Sequence, residues 1–169
     1  QDGAEKRFSA GVFVEDDTAK VYSSSFKGEI DVDDYAVANV DASLGKKKLT
    51  INGDDSANSL VGGKGNDMLI GGAGNDTLSG GKGNDSLWGN DGADEFIFNR
   101  GGGKDIIFGF DDDDTLTLDA VIKDSKVDGD VIILKLNSGS VTFKEATATT
   151  FHINNDTYEV SDGQFVKQD

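Results

Sequence analysis

Cysteine and proline are both absent from this 169-residue chain, and histidine, methionine and tryptophan occur once each. No disulfide can form, and the thiolate and imidazole ligands that transition metals favour are missing. Lack of Cys suits a secreted protein held by metal rather than by disulfides, although many cytosolic chains also lack it. Basic residues are scarce as well: 16 Lys and Arg stand against 32 Asp and Glu, a net charge of −16. Such a charge repels itself and disfavours nucleic acid and anionic membranes as partners. No apolar run approaches the roughly 20 residues of a membrane span. HExxH, GxSxG and phosphate-loop motifs are all missing, and no catalytic role is expected. There is no start Met and no secretory signal, so the chain, beginning at Gln1, reads as part of a longer protein.

Glycine, by contrast, is abundant at 23 residues, and it is periodic. Gly62-Gly63-Lys64-Gly65-Asn66-Asp67-Met68-Leu69-Ile70 is followed by Gly71-Gly72-Ala73-Gly74-Asn75-Asp76-Thr77-Leu78-Ser79, then by Gly80-Gly81-Lys82-Gly83-Asn84-Asp85-Ser86-Leu87-Trp88. A looser unit spans residues 89–97 and a degenerate one, with Asn58 at the Asp position, spans 53–61. After a two-residue slip at Phe98-Asn99 the frame resumes over 100–108 and 109–117. Asp recurs at the sixth position and an apolar residue at the eighth, giving Leu60, Leu69, Leu78, Leu87, Phe96, Ile107 and Leu116.

Six residues of turn and three of strand make half a coil, so 18 residues close one coil of a parallel solenoid. The reading is an all-β parallel β-roll with flanking β-strand caps at both ends. Residues 1–50 would form an N-terminal β region capping or extending the roll, 51–118 the roll itself and 119–169 a C-terminal β cap. Strands are expected at 8–14, 20–22, 30–32, 36–40 and 49–51, and again at 115–118, 131–136, 140–143, 151–153, 157–160 and 164–166. Turns are expected at 128–130 and 137–139.

The eighth-position residues face inward, and the glycine-rich turns direct carbonyls into the gaps between coils, where unpaired they would be costly. A hard divalent cation resolves this, because calcium takes six to eight oxygens from carboxylates and carbonyls. The 18-residue repeat pairs Asp67 with Asp85, Asp76 with Asp94 and, across the slip, Asp85 with Asp105. Asn58 with Asp76 and Asp94 with Asp114 would end the rows. Magnesium fits less well, since it demands tight octahedral geometry. Gly/Asn/Asp-rich sequence alone would read as linker or simple turns, but three intact units with the apolar residue in fixed phase do not.

These residues resemble the RTX (hemolysin-type calcium-binding) nonapeptide repeat, GGxGxDxUx, over residues 50 to about 118. Residues 1–50 resemble no family in this way. The resemblance implies a β-roll binding about three to five calcium ions. One turn would give the carbonyls of positions 2 and 4 with its Asp, and the next coil those of positions 1 and 3 with its own. One set is then Gly63, Gly65, Asp67, Gly80, Lys82 and Asp85, and the next Gly72, Gly74, Asp76, Gly89, Asp91 and Asp94. A third is Gly81, Gly83, Asp85, Arg100, Gly102 and Asp105. The edge sets are Asp54, Ser56, Asn58, Gly71, Ala73 and Asp76, and Asn90, Gly92, Asp94, Gly109, Asp111 and Asp114, where Asp112 or Asp113 could compete. The resemblance further implies a bacterial protein exported by type I secretion machinery, with a signal region near the C-terminus. It would fold on calcium outside the cell and stabilise or present an upstream region of a larger secreted or surface protein. Accessory modules of secreted enzymes and carbohydrate-binding adhesins are the alternatives. Lack of Pro excludes the Asp-Pro self-cleavage of some attached modules.

Trp88, Phe96, Phe98, Phe108 and Phe110 could form a sugar-stacking surface, but packing at the end of the roll is the simpler reading. His152 reads as structural or surface-exposed, and Lys46-Lys47-Lys48 as a solvated turn rather than a binding patch.

Overall fold

The computed structural model describes residues 6–9, 11–22, 26–35 and 37–169. From residue 28 onward the chain winds between two sheets. β4 (Gly28–Asp31), β6 (Leu49–Asn52), β8 (Met68–Ala73), β10 (Ser86–Asp91) and β12 (Gly103–Phe108) lie side by side in one. In the other lie β5 (Asn39–Asp41), β7 (Ser59–Val61), β9 (Thr77–Ser79), β11 (Glu95–Phe98) and β13 (Thr115–Leu118). All these ladders are parallel, with Thr50 beside Met68 beside Ser86 and Ser59 beside Thr77 beside Glu95. The chain is therefore a parallel β-solenoid, with 18 residues per coil through the regular repeats, as their period predicts, and 20 or 21 in the coils on either side.

The three-residue strands explain the core. Their outer residues face away from the core and the middle one faces in, so such a strand buries one side chain, while the longer β6, β11 and β13 bury two. Leu60, Leu69, Leu78 and Phe96 are fully buried, and Leu87, Ile107 and Leu116 nearly so. Toward the C-terminal end larger rings take over. Phe110 stacks on Phe151 at 5.5 Å and meets Phe143 edge-on at 4.9 Å.

Further strands add to one sheet at the N-terminal end and to both sheets at the C-terminal end. β1 (Lys6–Ser9), β2 (Val12–Glu15) and β3 (Thr18–Val21) run antiparallel to one another, and β3 joins β5 in parallel. β14 (Ile122–Asp128), β15 (Val131–Leu136) and β16 (Gly139–Lys144) form a meander whose last strand runs parallel to β12. β17 (Thr150–Ile153) runs parallel to β13 and carries the antiparallel pair β18 (Asp156–Ser161) and β19 (Gln164–Lys167).

Several local expectations change. The strand expected at 8–14 is a hairpin, because the chain turns back at Gly11 with φ +105°; residue 10 lies outside the described residues. The strand expected at 36–40 starts only at Asn39, after a single helical turn α1 (Val32–Tyr35); Ala36 also lies outside the described residues. The Asp31 carboxylate caps that turn, accepting the Asp33 N–H at 3.0 Å. β14 was not expected, since its alternation is diluted by Lys and Asp. The slip at Phe98-Asn99 is not a bulge at Phe98, which extends β11 opposite Leu118 and is buried. A turn closed by the Gly102 N–H on the Asn99 carbonyl at 2.9 Å absorbs the extra residues.

Candidate metal-binding turns

Because the sheets are in register, the sixth-position residues stack. Asp67, Asp76, Asp85, Asp94, Asp105 and Asp114 are all nearly fully buried, and so is Asn58. Each carboxylate reaches back one coil to a backbone N–H. Asp85 Oδ1 accepts from Asp67 N at 2.7 Å, Asp94 Oδ1 from Asp76 N at 2.8 Å and Asp105 Oδ1 from Asp85 N at 3.0 Å. Asp114 Oδ1 accepts from Asp94 N at 2.9 Å and Asp76 Oδ1 from Asn58 N at 2.7 Å.

The second oxygens divide the set. Asp67 Oδ2 accepts the Gly63 N–H at 2.8 Å and Asp114 Oδ2 the Asp111 N–H at 3.0 Å. Asp76, Asp85 and Asp94 each bury an Oδ2 with no hydrogen-bond partner. An unpartnered buried carboxylate oxygen is among the costliest groups a fold can hold. Burial pushes Asp85 up to about 8, with the carboxylates of Asp105 and Asp67 adding to it. It pushes Asp105 up to about 7, and Asp76 and Asp114 to about 6. Asp67 and Asp94 are raised for the same reason.

Carbonyls converge on the same gaps. Gly63 O accepts the Lys82 N–H at 2.8 Å and Gly65 O points at Gly83, while Gly80 O points back at Gly62. In the opposite row Gly74 O points at Gly92, and Gly89 O points back at Gly71. Positions 2 and 4 thus face the next coil and position 1 the preceding one. Gly83 shows why glycine is needed: its φ is +128°, and a Cβ there would run into Gly65 O.

Among the described residues no three His, Cys, Asp or Glu side chains come together. Any metal here therefore draws on backbone carbonyls for most of its shell. That donor set, all oxygen with one carboxylate per turn and unpartnered carboxylate oxygens, fits a calcium-type hard cation.

The third set is less regular than the first two. Gly83 pairs with Gly103, and Gly83 N donates to Gly102 O at 2.8 Å, but a Cβ on Gly101 would meet nothing within 4 Å. The inserted residues swing out of the stack, carrying Arg100 into solvent. At one edge, Asp54 O accepts the Ala73 N–H at 3.0 Å and Gly71 O points at Gly53. Asn58 is spent on protein partners there, its Oδ1 on Asp54 N at 2.8 Å and its Nδ2 on Ala38 O at 2.9 Å. At the other edge, Gly109 turns outward and donates to Lys144 O at 3.0 Å. Asp112 is engaged elsewhere: its Oδ1 accepts from Thr149 N and Thr150 N, both at 2.8 Å.

Two features escaped the sequence reading. Residues 44–49 stack beneath 62–67 as a further turn, with Lys64 N on Gly45 O at 2.9 Å and Leu49 N on Asp67 Oδ1 at 2.8 Å. Gly45 stands 18 residues before Gly63, but Leu49 replaces the Asp and hides the unit. The fifth-position asparagines also form ladders. Asn66 Oδ1 accepts from Asn84 N at 2.9 Å, and Asn84 Oδ1 from Lys104 N at 3.0 Å. Their recurrence before Asp67, Asp76 and Asp85 was the available signal. Of the aromatics, Phe96, Phe98 and Phe110 are core residues. Trp88 and Phe108 lie outside it, half-buried and stacked on each other at 4.3 Å.

The family model for the RTX calcium-binding nonapeptide repeat, in four copies, matches residues 50–78, 70–102 and 101–120. Among solved structures the chain is similar to the AlgE6R3 subunit of the mannuronan C5-epimerase of Azotobacter vinelandii, determined in solution. The two are 26% identical, the match covers 62% of this chain and 73% of that one, and the TM-score is 0.51. No curated protein matches the chain.

Proposed function

Residues 50–120 are RTX calcium-binding repeats, and from that premise we propose that this chain is a structural module whose folding is switched on by calcium outside the cell. The observation carrying the reading is the trio of buried, unpartnered oxygens on Asp76, Asp85 and Asp94. The chain alone leaves these charges uncompensated. Bound calcium supplies the compensating charge and links one coil to the next. The ligand sets given above are the proposed sites, those around Asp85 and Asp94 being the most regular and that between Asn58 and Asp76 the poorest in charge.

Binding free energy adds to folding free energy when the site exists only in the folded chain. At low cytosolic calcium the acidic repeats repel one another and stay open, a form suited to type I export. At millimolar calcium they close, and the roll then stabilises or presents whatever sequence it is joined to. Likeness to a subunit of a polysaccharide-modifying enzyme favours a second, compatible reading, in which the module is an accessory to a secreted enzyme. The test is circular dichroism of the chain across free calcium from chelated to millimolar. The reading expects sheet signal to appear cooperatively within that range, and a flat titration overturns it.

A further inference from the structure

The turns form two rows of opposite charge. The row made of residues 45–49, 62–67, 80–85 and 99–105 carries seven cations: Lys46, Lys47, Lys48, Lys64, Lys82, Arg100 and Lys104. Its three carboxylates, Asp67, Asp85 and Asp105, are buried between coils. The row made of 53–58, 71–76, 89–94 and 109–114 carries nine carboxylates and no cation. Acid outnumbers base two to one in this chain, 32 to 16, so its composition does not account for the basic row.

The basic row is also a track. The 18-residue register puts Lys46, Lys64 and Lys82 at one position on successive coils, with Lys64 N bonded to Gly45 O and Lys82 N to Gly63 O. Strand spacing sets their backbones about 4.8 Å apart. Lys64, Lys82 and Arg100 line one groove with Ser43, Ser79 and Asn99, so the groove crosses four coils along the roll axis, about 14 Å at that spacing. The three lysines are exposed, and no ion pair among the described residues engages them. Arg100 makes a long, exposed pair with Asp119 at 3.8 Å, of the kind that holds a side chain weakly.

We propose that this groove, continued one coil further along the same track by Lys46, binds a linear carboxylated polysaccharide lying along the roll axis, its successive carboxylates on Lys46, Lys64, Lys82 and Arg100 and its hydroxyls on Ser43 and Asn99. A single file of cations suits a single-stranded anion. The lining has no aromatic ring on which a base could stack, as single-stranded nucleic acids require. Trp88 and Phe108 lie outside this lining and stack on each other at 4.3 Å. The groove depends on the calcium reading only through the integrity of the roll, and calcium held between the coils would make the basic row more positive.

The test is calorimetric titration of the calcium-loaded chain with decagalacturonate at clamped free calcium, beside a neutral cello-oligosaccharide, single-stranded oligothymidylate and phosphatidylserine vesicles. Decagalacturonate is expected to bind, less tightly as salt rises. The pair Lys46→Gln and Lys64→Gln is expected to weaken it about tenfold, with calcium stoichiometry and circular dichroism unchanged. Neither lysine belongs to the proposed calcium sets, so a folding loss is not built into the variant. No binding, binding undiminished in the double variant, or equal binding of any of the other three ligands overturns the proposal. Failure here beside intact calcium-dependent folding removes the groove alone. Absence of calcium-dependent folding removes the reading of the turns and is seen first by circular dichroism.

Discussion

Asp85 and Asp67 sit one above the other, joined by the Asp67 N–H and Asp85 Oδ1 at 2.7 Å, yet they end differently. Asp67 Oδ2 is satisfied by Gly63 N at 2.8 Å, whereas Asp85 Oδ2 is buried and alone. Asp85 lies between two gaps of its row, and Asp67 closes the row against a turn that offers Leu49 in place of a carboxylate. Asp85→Asn is therefore expected to raise the calcium midpoint for folding about tenfold or more, and Asp67→Asn several-fold less. Equal shifts in a calcium titration of the two variants would show that the carboxylate is not shared between gaps.

The first-position glycines are needed for space. A Cβ on Gly80 would lie 2.6 Å from Asp85 Cβ and 2.7 Å from its Cγ, whereas one on Gly101 meets nothing within 4 Å. Gly80→Ala is expected to displace the Asp85 carboxylate, costing about 1–3 kcal/mol of stability in calcium. Gly101→Ala should lose only about 1 kcal/mol, from its positive φ. Chemical denaturation of both variants in saturating calcium checks the order.

Asp112 ties the C-terminal strands to the roll. Its carboxyl is held below the usual range by the N–H groups of Thr150 and Thr149. Asp112→Ala is expected to leave calcium stoichiometry unchanged while speeding hydrogen exchange in β17 and β18. A lost calcium ion in this variant would return Asp112 to the ligand set.

The period made the coil legible, since one apolar residue and one Asp every nine residues fix both the core and the stacking. What it did not show follows from how each contact is made. The turn at 44–49 keeps the backbone pattern but lacks the Asp, and backbone contacts leave little trace in sequence. Asp111, Asp112, Asp113 and Asp114 look alike in sequence, and only the arrival of Thr149 from 37 residues away separates Asp112 from Asp114. Trp88 and Phe96 fall one strand apart, but position 9 faces out and position 8 faces in, which separates a surface ring from a core one.

Proton and calcium compete for the same oxygens. Asp76, Asp85, Asp105 and Asp114 have folded values of about 6, 8, 7 and 6 against an ordinary 3.8, so the metal-free fold binds more protons than the open chain. Its stability is then greatest below about pH 4 and falls as pH rises toward 8. In chelator, sheet signal is expected to be stronger near pH 5 than near pH 8. In limiting calcium the order reverses, because binding needs the ionised carboxylates and releases protons. Circular dichroism against pH in the two conditions checks both signs.

The most direct measurement is hydrogen exchange at the backbone N–H groups of Asn58, Asp67, Asp76, Asp85 and Asp94, each bonded to the carboxylate one coil on. At neutral pH these five are expected to be strongly protected in millimolar calcium and to exchange freely once it is chelated. Equal protection in both states would mean that the coils hold together without the ion.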